Sequence, residues 1–199
     1  IADIEVARES GLDLLSVLER CLAALPPGGA IVQLRGKGPH RADLHSLAPH
    51  ALARCRNVGV PLLINGDQAL AEALGADGVH LSETEAVNQG SAHVLRGRSV
   101  HSSESLRRAT REGMSYVLVS PAFPTLSKPG APHLGPTGIE SLLASAPGHP
   151  PAFGLGGIGP DNAASARRAG CHGVAAIRSW LAADRPGRSA TALLDAVSR

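Results

Sequence analysis

Four short polar clusters and one glycine turn hold most of the side chains in this sequence that could do chemistry. The clusters are Gln33, Arg35 and Lys37; Asn65 and Asp67; Ser99 and His101; and Thr125, Ser127 and Lys128. Each follows a run of apolar residues, where a strand would end. The turn contains Gly156, Gly157 and Gly159, and Pro160 and Asp161 follow it as a helix start. Glycines there let backbone N–H groups approach an anion closely, and the helix N-terminus adds partial positive charge. The plainer reading is a tight turn that needs glycine for its dihedrals and binds nothing. A single lysine or arginine after a strand is ordinarily solvated surface. Arg35, Lys37 and Lys128 meeting a glycine turn on one face instead favour an anionic, phosphorylated ligand. Each charged hydrogen bond would contribute roughly 1.5–3 kcal/mol.

Other constellations are weaker. Of nine histidines, His80 and His101 fall at strand ends. Either could exchange a proton near neutral pH, although a hydrogen-bonded structural imidazole is the commoner outcome. No two-histidine metal motif, P-loop or nucleophile elbow is present. Cys21, Cys55 and Cys171 are odd in number and lack metal spacing, which favours buried thiols in a reducing compartment. A net charge of +2 with 2% aromatic residues gives no argument for nucleic acid. No apolar run reaches the ~18 residues of a membrane span. No signal peptide is visible, so the expected address is cytoplasmic. Whether the chain forms a homo-oligomer is left open.

The elements that must position these groups alternate. With 43% apolar and 18% charged residues, the 199-residue chain reads as one soluble domain, 1–199. Strands are expected at 30–34, 61–64, 78–81, 98–100, 116–119, 152–155 and 174–177, with the tail of a truncated first strand at 1–4. Helices are expected within 12–25, 42–56, 69–74, 83–94, 103–112, 138–146, in the 160s, and at 190–197. The loop after Ser120 is rich in proline and glycine, and at roughly 17 residues it is long enough to be functional. An internal echo places Gly75, Gly113 and Gly170 each just before an apolar strand. Eight such units in ~200 residues predict a (β/α)8 TIM barrel, with a doubly wound open sheet as the alternative. In a barrel, all the polar clusters would lie on one rim.

Seven segments in this order resemble the thiamine phosphate synthase/TenI family. They are VQLRGK (32–37), LINGD (63–67), ALGADGVHL (73–81), GRSVHS (97–102), SPAFPTLSK (120–128), GLGGI (154–158) and AGCHGVAAI (169–177). The resemblance implies a (β/α)8 barrel. In the synthase, a pyrimidine diphosphate and a thiazole phosphate join with loss of pyrophosphate, assisted by magnesium. By resemblance, Gln33, Arg35, Lys37 and Asn65 would hold the pyrimidine diphosphate, and Ser99 and Lys128 would contact pyrophosphate. Thr125 and Ser127, with the backbone at Gly156, Gly157 and Ile177, would hold the thiazole phosphate.

Departures from the synthase pattern shape the expected activity. Gly66 and Glu85 stand where the synthase has two aspartates, so any Mg2+ would fall to Glu85 and the displaced Asp67. Arg178 stands in place of a serine. Asn65-Gly66 and GRSVHS look more like TenI, which tautomerises a thiazole carboxylate phosphate without metal. TenI's histidine corresponds to Pro121, so His101 or His80 would have to replace it. Tautomerase chemistry, with His101, Ser99 and Lys128 as catalytic groups, is the first expectation and needs no cofactor. A Mg2+-dependent synthase and a non-catalytic binder are the alternatives.

Overall fold

The computed structural model describes residues 1–88, 95–125 and 130–198. Its strands are β1 (Ala2–Asp3), β2 (Val32–Arg35), β3 (Leu62–Asn65), β4 (Gly78–Leu81), β5 (Leu95–Val100), β6 (Tyr116–Val119), β7 (Ala152–Leu155) and β8 (Gly173–Ala175). All neighbours pair in parallel, in the order of the chain from β1 to β8. A doubly wound sheet would reverse its order partway, so that alternative is excluded. The Ile1 nitrogen donates to the Ala176 carbonyl at 2.8 Å, which ties the end of β8 back to the start of β1. The fold is a (β/α)8 barrel.

The helices are α1 (Ile4–Glu9), α2 (Leu14–Leu22), α3 (Arg41–Asn57), α4 (Gln68–Leu74), α5 (Ser103–Arg111), α6 (Gly135–Ala144), α7 (Pro160–Arg168), α8 (Arg178–Leu181) and α9 (Pro186–Ser198). The alternation of side chains along a strand divides the core. Leu62 and Ile64 join the large cluster between sheet and helices. Leu63 joins Tyr116 and Leu118 in a smaller cluster, with Leu95, Phe153 and Leu155 packed against it. Gly75, Gly113 and Gly170 have φ of 60°, 64° and 97°, so the echoed glycines end their helices in the left-handed region that favours glycine.

Register builds the floor of the site. Asn65, His80, Gly97 and Tyr116 are successive partners across β3, β4, β5 and β6. A Cβ on Gly97 would lie 2.1 Å from the Tyr116 ring. The missing side chain lets that ring cross β5 and reach His80, with centroids 5.6 Å apart.

Several expected boundaries are corrected. The first strand stops at Asp3, whose carboxylate accepts from Val6 N at 3.1 Å and starts α1. The strand expected at 174–177 ends at Ala175, and Ile177 precedes the unforeseen helix α8. The last helix begins at Pro186. At the start of α7, Asn162 rather than Asp161 provides the cap, accepting from Gly159 N at 3.0 Å. Residues 82–88 form no helix, and arginine and glutamine side chains donate to their carbonyls; 89–94 lie outside the described residues. Cys21, Cys55 and Cys171 are free and buried, and burial pushes their thiols up to about 11, 12 and 11.

Gly97→Val should drive the Tyr116 ring off its seat and cost about 1–3 kcal/mol, as overpacking does. Urea denaturation with an unchanged midpoint would show that the ring does not depend on that space.

Candidate active site

The strand ends open into a cleft of about 1200 Å³. Gln33, Arg35, Lys37, Asn65, Ser99 and His101 line it, together with Thr125, Gly156, Gly157, Ile177 and Arg178. The structure therefore brings together on one rim every described residue that sequence reasoning selected, Asp67 and Glu85 included. Ser127 and Lys128 lie outside the described residues.

The floor of the cleft is a polar ladder. Asn65 Nδ2 donates to Gln33 Oε1 at 3.2 Å. His80 Nδ1 lies 2.9 Å from the Tyr116 hydroxyl, and its Nε2 lies 2.9 Å from Ser99 Oγ. Burial, reinforced by the charges of Arg98, Lys37 and Arg35, lowers the His80 pKa from 6.5 to about 3. Burial likewise raises the Tyr116 phenol, partly offset by a hydrogen bond from Gln33. His80 is thus a neutral structural imidazole with both nitrogens engaged. His101 differs. Its Nδ1 sits 2.7 Å from the Ser120 carbonyl, to which an Nδ1–H donates, and the ring is exposed at the cleft.

The described arginines of the cleft are already held by carboxylates. Arg35 pairs with the buried Asp3, and Arg178 Nη2 with Glu9 Oε2 at 2.9 Å. Lys37 is also engaged. An anion entering here would share these charges with protein groups and not meet bare cations. Asp3 and Glu9 were missed in the sequence, since nothing local links them to Arg35 or Arg178.

The glycine turn is set by close approach. Gly156 and Gly157 have φ of 98° and 63°, and a Cβ on Gly157 would stand 2.2 Å from the Pro124 carbonyl. The turn is pinned from below, where Phe123 N donates to Gly156 O at 3.0 Å and Asn162 Nδ2 to Gly157 O at 2.8 Å. The amides of Gly157 and Ile158 meet no acceptor among the described residues, nor do those of Arg178 and Ser179 in the first turn of α8. Two sets of amides on adjacent loops after β7 and β8 make a cradle that an anion would fit.

The carboxylates for magnesium separate into two cases. Asp67 caps α4 through Leu70 N at 2.9 Å, while Arg41 at 3.0 Å and His45 at 2.9 Å take its other oxygen. Desolvation works to raise the Asp67 pKa, but these contacts outweigh it and hold the carboxyl below its ordinary value. Glu85 uses Oε2 to accept from Ser82 N at 2.6 Å. Its Oε1 lies 3.4 Å from where a Cβ on Gly66 would stand, so the longer side chain comes within contact distance of that position. No group of three or more His, Cys, Asp or Glu suited to a metal occurs among the described residues. One carboxylate completed by substrate phosphates is a normal magnesium complement, and Glu85 fits it where Asp67 does not.

A parallel (β/α)8 barrel with a polar, amide-lined cleft at its strand ends defines the class of fold. The chain belongs to the thiamine monophosphate synthase family, whose model matches residues 6–180. It is 35% identical over 191 residues to the thiamine-phosphate synthase of Thermus thermophilus, covering 94% of this chain and 92% of that one. It is 39% identical over 205 residues to the thiamine-phosphate synthase of Roseiflexus sp. (strain RS-1), covering 99% and 83%. Among solved structures, thiamine phosphate pyrophosphorylase from Pyrococcus furiosus superposes with a TM-score of 0.79 at 22% identity, over 92% of this chain and 89% of that one, and supports the fold.

The low His80 pKa fixes a pH dependence. Between about 3 and 6.5 the unfolded chain binds the His80 proton and the folded one does not. Stability from this group is therefore full above 6.5 and falls as pH drops toward 3, at about 1 kcal/mol per pH unit. His80→Gln should flatten that slope in denaturation midpoints measured from pH 7 to 4. A slope equal to the parent's would mean His80 is not the group responsible.

Proposed function

We propose that this chain is a thiamine-phosphate synthase, joining a pyrimidine diphosphate to a thiazole phosphate with release of pyrophosphate. The observation that carries the reading is a synthase relative 35% identical across 94% of the chain. The sequence alone put tautomerisation first, on Asn65-Gly66 and GRSVHS. The synthase relatives support the synthase reading instead, and Pro121 stands at the position of TenI's histidine.

In this reading Gln33, Arg35, Lys37 and Asn65 receive the pyrimidine diphosphate, and Ser99 and Lys128 its leaving pyrophosphate. The amides at Gly157 and Arg178, with Thr125 and Ser127, hold the thiazole phosphate. Arg35 and Arg178 arrive oriented by Asp3 and Glu9, so little side-chain entropy is lost when an anion binds. Glu85 would hold magnesium, which would supply charge neutralisation on the diphosphate. Ser99 is fixed by His80, which keeps its hydroxyl at the cleft. No described helix is long and apolar enough to cross a membrane, and both proposed ligands are small water-soluble anions.

Purified protein given Mg2+, the pyrimidine diphosphate and the thiazole phosphate should form thiamine phosphate. No product, but faster aromatisation of the thiazole carboxylate phosphate, would restore the tautomerase reading; binding without either reaction would favour a carrier. Lys128→Ala should weaken pyrimidine diphosphate binding about tenfold at low salt, a loss that shrinks as salt rises. Titration calorimetry at two ionic strengths checks it, and unchanged low-salt affinity removes Lys128 from the site.

A further inference from the structure

We propose that Arg98, Arg108 and Glu112 form a positioning device for the cleft, a charge cluster that fixes the segment after β4 and so holds the Glu85 carboxylate over Gly66. The inference rests on the synthase reading, because it assigns that carboxylate work with a metal-bound diphosphate. None of the three residues lines the cleft.

Arg98 is 0% exposed, on the face of β5 turned away from the ladder of Ser99 and His80. Its Nη1 lies 2.8 Å from the Ser82 carbonyl, 3.1 Å from that of Glu83 and 2.8 Å from that of Glu85. Its Nη2 pairs with Glu112 Oε2 at 2.7 Å. Arg108, on α5, pairs with the other oxygen of Glu112 at 2.7 Å and reaches the Glu83 and Glu85 carbonyls at 3.2 and 3.4 Å. Two guanidiniums therefore share one carboxylate, and Arg98 Nη1 with both terminal nitrogens of Arg108 reaches the same stretch of backbone.

As a stability device this is poor value, since apolar side chains of similar volume would fill the space without desolvating charge. What the cluster supplies is donors. Residues 82–88 belong to no helix or strand, so their carbonyls lack ladder partners, and a planar guanidinium can bind several at fixed angles. On α4, Gln68 grips the same segment, donating to Ala86 O at 3.0 Å and accepting from Asn88 N at 2.9 Å. With its backbone fixed, Glu85 closes on Ser82 N through Oε2 and sets Oε1 in the space above Gly66. An aspartate would carry its carboxylate on a shorter stem. A glutamate reaching across from the next loop has more rotamers to lose and needs a firmer base.

Arg108→Met and Glu112→Gln test this, because both side chains are partly exposed and neither lines the cleft. Mn2+ with inorganic pyrophosphate is the probe, followed by electron paramagnetic resonance, and amide hydrogen exchange reports on the segment. Each variant should speed exchange at 82–88 alone and weaken Mn2+–pyrophosphate binding about tenfold, as loss of a supporting contact behind a metal ligand does. Binding of inorganic phosphate alone should not change. Arg108→Lys, keeping one donor, should recover part of both losses. Faster exchange with unchanged Mn2+ affinity, or unchanged exchange, overturns the inference while leaving the synthase reading standing. A parent protein that binds no Mn2+ with pyrophosphate removes the synthase reading, and the inference with it.

Discussion

The Tyr116 ring lying across Gly97 is the contact on which the interior of this barrel depends. A closed parallel barrel must fill its own centre, usually with layers of branched apolar side chains. Here Gly97 leaves one place in a layer empty, and the sole tyrosine of the chain covers it. The phenol thereby reaches His80, which in turn reaches Ser99. The packing that closes the barrel and the orientation of the polar floor are one arrangement. Within it a neutral histidine serves better than a charged one, since an imidazolium would face Arg35, Lys37 and Arg98 in a desolvated interior.

Above that floor the charge is arranged in pairs. Arg35 leans on Asp3, Arg178 on Glu9, and Arg41 on Asp67. Partly exposed pairs of this kind contribute little to stability. Their effect is to fix direction, so the cleft presents oriented guanidiniums and free amides instead of mobile cations. Asp67 shows the converse. Its position beside Gly66 suggested a metal ligand, but a helix cap and two cationic partners use up its oxygens. Glu85 is the carboxylate left with an oxygen to give.

Membership in the thiamine monophosphate synthase family and the local departures are compatible once geometry is considered. A glycine in place of one aspartate would by itself suggest loss of the metal. In three dimensions, the glycine and the longer acid at Glu85 are neighbours, with the Glu85 carboxylate at contact distance from where a Cβ on Gly66 would stand. The TenI-like wording in the sequence is confined to strand ends, since Asn65-Gly66 closes β3 and GRSVHS runs through the end of β5. The residue matching TenI's histidine is Pro121, whose side chain has no proton to transfer.

The sequence by itself determined the βα repeat, the polar strand ends and the helix-ending glycines, because each is written in local pattern: apolar runs, turn residues and their spacing. It also brought Gln33, Arg35, Lys37, Asn65 and Ser99 to one rim, since barrel closure leaves strand ends nowhere else to go. Only the tertiary structure decided which of those groups are spoken for. Asp3 with Arg35, Glu9 with Arg178, and Arg98 with the carbonyls after β4 are partners separated by long stretches of chain. In place of the helix expected near 83–94, residues 82–88 lie irregularly, with donors from β5 and α5 on their carbonyls. No periodicity in the segment itself records where those donors stand.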